Sequence, residues 1–154
     1  MKLSRLIVTF FSIGNTKIAP GSIASLTTVV LFYFFAMHLN VYLFILIILI
    51  TTVLAFVTVG IYTTDLLEKD KSEIVIDEVI GQSISLLPLL VFKESVFSDL
   101  YLCIFSLLLF RFFDIFKPYP IKKFDNMNSP FGIIFDDILA GTFSAILMIV
   151  ILIL

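Results

Sequence analysis

The chain has 154 residues, 60% of them hydrophobic and only 14% charged, with a formal net charge of −2. Soluble domains are roughly 45–50% apolar and about 25% charged, so the composition fits a single-domain integral membrane protein over residues 1–154. It gives no electrostatic basis for nucleic-acid binding; the lone Cys103 excludes an intrachain disulfide or a cysteine zinc site, and the lone His38 excludes a histidine metal cluster.

The chain begins with Lys2 and Arg5 ahead of a short apolar stretch, Leu6 to Ile13, which predicts an interfacial amphipathic segment rather than a cleaved signal. The turn Ala19-Pro20-Gly21-Ser22 then leads into the first long apolar stretch. It has two readings. One is an ordinary Pro-Gly turn with Ser22 as helix cap. The other is a phosphate site built from backbone N–H groups around Gly21 and the Ser22 hydroxyl.

Five apolar stretches predict membrane helices, at about Ile23–Met37, Val41–Gly60, Val79–Phe92, Leu100–Phe116 and Ile138–Leu154. The expected fold is therefore all-α, a polytopic membrane bundle of about four to five membrane-associated helices. The link His38-Leu39-Asn40 makes the first two a hairpin, and His38 reads as interfacial. Pro88 predicts a third helix that is kinked or incompletely spanning. Gly21 with Ser25, Gly81 with Ser85 and Gly141 with Ala145 stand four apart, a spacing that lets membrane helices approach closely.

Basic residues fall unevenly. Lys2, Arg5, Lys17, Lys69, Lys71, Arg111, Lys117, Lys122 and Lys123 all lie on one side of a five-span arrangement, and the other side has only His38 and Lys93. Positive charge marks the cytoplasmic side. The N-terminus is expected inside, the C-terminus outside, and the polar helix ends on the cytoplasmic face.

The polar helix ends hold three carboxylate sets: Asp77-Glu78, Asp114 and Asp136-Asp137. Charge in so apolar a chain costs about 2.5–3.5 kcal/mol per residue on the mildest scale. Adjacent residues on a helix point about 100° apart, so one member of each pair is expected at the site and the other as a cap or an orienting group. Asp136-Asp137 reads equally well as a helix cap. Arg111 and Asp114, three apart, could simply pair on one helix face. Together, the three sets point to a hard cation, with Mg2+ suited to carboxylates and phosphate oxygens. Arg111 and Lys117 supply the complementary charge for a phosphate monoester. Asp70 and Asp125 read as solvated loop charges.

Four ordered blocks resemble the phosphatidylglycerophosphatase A family. They are Ala19-Pro20-Gly21-Ser22-Ile23-Ala24-Ser25-Leu26; Ile74-Val75-Ile76-Asp77-Glu78-Val79-Ile80-Gly81; Phe110-Arg111-Phe112-Phe113-Asp114-Ile115-Phe116-Lys117-Pro118-Tyr119-Pro120-Ile121; and Gly132-Ile133-Ile134-Phe135-Asp136-Asp137-Ile138-Leu139-Ala140-Gly141. Ser22 stands where the family usually has Thr, and Ala24 where it usually has Gly. The resemblance implies a Mg2+-dependent phosphatase of the bacterial cytoplasmic (inner) membrane, acting at its cytoplasmic face. It would convert the phospholipid phosphatidylglycerophosphate to phosphatidylglycerol plus phosphate, a step of phospholipid biosynthesis. Asp77, Glu78, Asp114, Asp136 and Asp137 would form the catalytic and metal site, with Arg111, Lys117, Gly21 and Ser22 at the phosphate. Two other classes compete: an ion or proton transporter, which needs acids near the membrane midplane, and an intramembrane aspartyl protease using Asp114 with Asp136 or Asp137.

Overall fold

The computed structural model describes residues 2–64, 71–92, 99–127 and 129–153; Lys69, Asp70, Lys93 and Glu94 lie outside the described residues. Within them all regular structure is helical. The helices are α1 (Lys2–Val8), α2 (Pro20–Leu31, continued by a π-helical turn Phe32–Ala36), α3 (Val41–Thr64), α4 (Ile76–Val91), α5 (Asp99–Phe116), α6 (Ile121–Asp125) and α7 (Pro130–Ile153).

All five apolar stretches are helical, but two begin earlier than their apolar content suggests. α4 starts at Ile76 and α7 at Pro130, so their acids lie inside the helices. This removes the cap reading of Asp136-Asp137. The cap of α7 is Ser129, whose Oγ accepts the Gly132 N–H at 3.1 Å, with Pro130 supplying the preset φ of a first helical residue. α4 continues past Pro88 to Val91.

α3 and α7 are long and apolar enough to cross a membrane. Each has 24 residues, which at 1.5 Å per residue is about 36 Å against a hydrocarbon core of about 30 Å. Only 22% of the most apolar window of α3 is buried, and Leu46, Ile50, Val53 and Val57 are exposed along it.

α4 is the hub, packed on α2, α3, α5 and α7. It has polar buried residues, Asp77, Gln82 and Ser85, and these need partners on its neighbours. Ser85 Oγ lies 2.7 Å from Ser106 Oγ of α5 and 2.5 Å from Ser144 Oγ of α7. This hydroxyl layer fixes the register of three helices. One turn nearer the site, Gly81 meets Phe110 of α5 and Gly141 of α7. The pairings 81–110–141 and 85–106–144 make α5 antiparallel to α4 and α7. The starts of α4 and α7 therefore meet the end of α5.

The N-terminal segment is not purely interfacial. Leu3, Leu6 and Phe11 are exposed, but Val8 is buried and its carbonyl accepts the Val75 N–H at 3.0 Å. The chain reverses through Phe10, Phe11 and Ser12, all at positive φ. Gly14 then packs where a Cβ would strike the Glu73 carbonyl. α1 thus braces the approach to α4.

Candidate active site

The meeting of α4, α5 and α7 encloses a cavity of about 160 Å³. Six carboxylates line it: Asp77 and Glu78 from the first turn of α4, Asp114 from the last turn of α5, Asp125 from the end of α6, and Asp136 and Asp137 from the second turn of α7. Lys117 is the single cation among its described lining residues; Ser72, Ile74 and Ile133 complete the wall. Like charges packed this closely repel strongly in a low-dielectric setting.

The acids differ in what they touch, although Asp114 also meets Asp137. Ligand oxygens of Asp77, Glu78 and Asp137 lie within 4.8 Å of one another, and Asp77 and Asp137 are 7% and 4% exposed. Glu78 Oε2 is buried and has no hydrogen-bond partner. A hard oxygen donor set with an orphaned carboxylate oxygen fits a small divalent cation. The expectation that adjacent acids split between site and support therefore fails for Asp77-Glu78, where the longer glutamate reaches round to join its neighbour. Asp136 and Asp137 both line the cavity but touch different groups. Asp137 joins the triad, while Asp136 accepts the Asp137 N–H at Oδ1 (3.0 Å) and the Lys117 ammonium at Oδ2 (2.8 Å).

Gly21 explains how Glu78 reaches the triad. A Cβ on Gly21 would run into the Glu78 carboxylate, so a larger residue there would displace that carboxylate from its place in the triad. Ser22 does not line the cavity, and the start of α2 faces the Glu78 side chain.

Arg111 and Asp114 form the i,i+3 pair that their spacing allows, with Nη1 2.5 Å from Asp114 Oδ2. The distance makes this an ion pair, but its angles do not make a hydrogen bond, so Arg111 Nε and Nη1 are buried donors without hydrogen-bond partners. Arg111 does not line the cavity, so the structure sets it behind Asp114 rather than at the opening with Lys117.

Lys117 follows the last turn of α5 at φ 43°, a left-handed conformation unusual for a side-chain-bearing residue. Its N–H still bonds Phe113 O at 2.9 Å, and Pro118 stops the helix. Its Nζ donates to Asp125 Oδ1 at 2.6 Å and to Asp136 Oδ2 at 2.8 Å. Burial works against the ammonium, but the hydrogen bonds and charges of Asp125 and Asp136 outweigh it and raise its pKa above the ordinary lysine value. Asp125 is thus solvent-exposed, as its charge suggests, with 42% of its side chain open, but it ends a helix and is paired with Lys117 rather than free in a loop. Its pairing depends on the reversal at Pro118-Tyr119-Pro120, which folds α6 back beneath the end of α5; the two prolines were the one signal in the sequence.

The sequence profile of the family described as phosphatidylglycerophosphatase A matches residues 6–152. The chain belongs to the phosphatidylglycerophosphatase A family. A Haemophilus influenzae phosphatidylglycerophosphatase A is 36% identical, with 93% of this chain and 85% of that protein aligned. The Escherichia coli phosphatidylglycerophosphatase A is 31% identical over 91% and 78%. A Bacteroides thetaiotaomicron protein, provisionally named phosphatidylinositol-3-phosphatase, is 33% identical over 94% and 91%. No solved structure matches the chain. All six cavity carboxylates and Lys117 fall within the span matched to the phosphatidylglycerophosphatase A family.

Proposed function

We propose that this chain is a membrane phosphatase that hydrolyses the terminal phosphate of phosphatidylglycerophosphate, releasing phosphatidylglycerol and inorganic phosphate in phospholipid biosynthesis. The observation that carries the reading is one cavity holding a carboxylate triad beside a lysine ammonium. Family membership supports the reaction class.

Asp77, Glu78 and Asp137 would hold Mg2+ directly. When bound, the metal supplies Lewis-acid polarisation of phosphoryl oxygens and lowers the pKa of water. Asp114 and Asp136 complete the acidic site by holding Arg111 and Lys117. Lys117 binds the phosphate monoester and offsets the charge that develops as its P–O bond breaks; Arg111, outside the cavity lining, reaches the phosphate only by leaving its Asp114 partner. Ile74 and Ile133 give the cavity an apolar side that lowers the local dielectric and strengthens those charge contacts.

Five membrane-associated helices, a cytoplasmic N-terminus and a cavity at the cytoplasmic face of the inner membrane complete the reading. The lysine and arginine asymmetry supports it, as do two helices of spanning length. Helix ends, rather than mid-helix positions, supply Asp77, Glu78 and Asp114. That disfavours a transporter, whose acids belong near the midplane. An aspartyl protease would leave the lysine and arginine pairs without a task.

The names of the relatives differ in head group, so the test compares lipids. Purified protein in detergent micelles is given phosphatidylglycerophosphate, phosphatidylinositol 3-phosphate or phosphatidic acid with Mg2+, and phosphate release is followed. The highest kcat/KM is expected on phosphatidylglycerophosphate. A preference for the inositol lipid would replace the head-group assignment.

A further inference from the structure

We propose that Asp125 is a positioning residue: it fixes the direction of the Lys117 ammonium so that its remaining N–H points into the cavity at the substrate's phosphate. This rests on the reading of Lys117 as the phosphate-binding cation.

An ammonium has three N–H donors in tetrahedral array. Two are committed, one to Asp125 Oδ1 and one to Asp136 Oδ2. These anchors come from different elements, α6 and α7. With two donor directions fixed, the third is fixed as well. With one anchor, the ammonium can pivot on its four-carbon stem, which is otherwise flexible.

The fold holds α6 firmly for so short a helix. Ile121 is fully buried, and its N–H bonds Pro118 O at 2.8 Å. Gly132 of α7 approaches so closely that a Cβ would meet the carbonyls of Phe124 and Met127. Phe124 packs on Phe135 with ring centroids 4.8 Å apart, and Phe135 stacks on Phe131 at the same separation. Asp125 therefore ends a helix clamped to the element that supplies Asp136 and Asp137. The two anchors of Lys117 form one rigid bracket, and such pre-organisation lowers the cost of meeting a phosphate.

The test is a double-variant cycle on the full chain in micelles, with phosphatidylglycerophosphate as substrate and inorganic phosphate as competitive probe. Asp125→Ala should raise both KM and the phosphate inhibition constant on the order of tenfold, with kcat little changed. Asp125→Asn, which keeps the size of the side chain, should fall between wild type and Asp125→Ala, and Asp125→Glu should recover part of the loss. In a Lys117→Ala background, Asp125→Ala should add nothing, because there is no ammonium left to aim. An equal further loss in that background overturns the proposal, as does a fall in kcat at unchanged KM. If Lys117→Ala weakens phosphate binding while Asp125→Ala does not, the proposal fails and the role of Lys117 stands. If Lys117→Ala itself changes neither constant, the phosphate-binding reading falls and takes the proposal with it.

Discussion

Gly81 of α4 lies directly against Gly141 of α7: a Cβ on Gly141 would strike the Gly81 carbonyl, and one on Gly81 would strike the Asp137 carbonyl. This crossing sets the distance between Asp77, one turn before Gly81, and Asp137, one turn before Gly141. Gly141→Ala must push the helices apart at the point where their acids meet. Overpacking of this kind costs about 1–3 kcal/mol, and a small displacement of the triad should lower activity on the order of tenfold or more. Thermal midpoint and kcat/KM measured together would show both losses. An active variant of wild-type stability would mean that the triad tolerates a wider crossing.

Carboxylates of the triad and carboxylates that hold cations should respond differently to amide substitution. Asp77→Asn and Asp137→Asn should lose more than roughly 100-fold in turnover and shift the Mg2+ requirement upward, whereas Asp114→Asn and Asp136→Asn should lose roughly 10–100-fold, as supporting residues commonly do. Mg2+ titrations of each variant separate the two groups. Equal Mg2+ requirements in all four would erase the division.

Arg111 and Lys117 should not be interchangeable with their conservative partners. Arg111 holds Asp114 through a planar guanidinium with five donors, which an ammonium cannot reproduce. Arg111→Lys is expected to raise KM on the order of tenfold, the loss of one charge-assisted contact. An unchanged KM would confine Arg111 to pairing with Asp114.

The raised pKa of Lys117 fixes its response to pH. A lysine whose folded pKa exceeds its unfolded value contributes stability that is fully present below the unfolded value, about 10.4, and lost as pH rises through the folded one. Between about pH 6 and 9 Lys117 therefore stays an ammonium. The ratio of wild-type to Lys117→Ala affinity for inorganic phosphate should rise as the probe becomes a dianion near neutrality and then stay flat to about pH 9. A ratio that falls as the solution passes neutrality would mean that Lys117 loses its proton there.

The sequence made the acids conspicuous because charge is costly in an apolar chain. The five helices were legible from their hydropathy, and the glycine spacing marked the crossing at Gly81 and Gly141. Helix starts were less legible. Apolar content suggested Val79 and Ile138, whereas α4 and α7 begin at Ile76 and Pro130 and carry their acids inside. The role of Asp125 was hidden because its partner Lys117 is eight residues away across a proline-forced reversal, where neither helical nor strand periodicity applies. The packing of Val8 beneath Val75 was hidden for a similar reason: the reversal begins with left-handed backbone at Phe10 and Phe11, residue types that give no turn signal.

Topology follows from the basic residues. A reporter that fluoresces only in the cytoplasm should be bright at the N-terminus and dark when fused after Leu154. A bright C-terminal fusion would require an even number of crossings and overturn the five-span arrangement.

The central claim is that Asp77, Glu78 and Asp137 hold a divalent cation needed for lipid phosphate hydrolysis. Phosphate release from phosphatidylglycerophosphate by the purified protein, followed in Mg2+, after EDTA, and after Mg2+ is restored, tests it most directly. Release in Mg2+, none in EDTA and recovery on adding Mg2+ back is the predicted result, with Asp137→Asn reduced more than roughly 100-fold at the same Mg2+ concentration. Full release in EDTA, or undiminished release by Asp137→Asn, would contradict it.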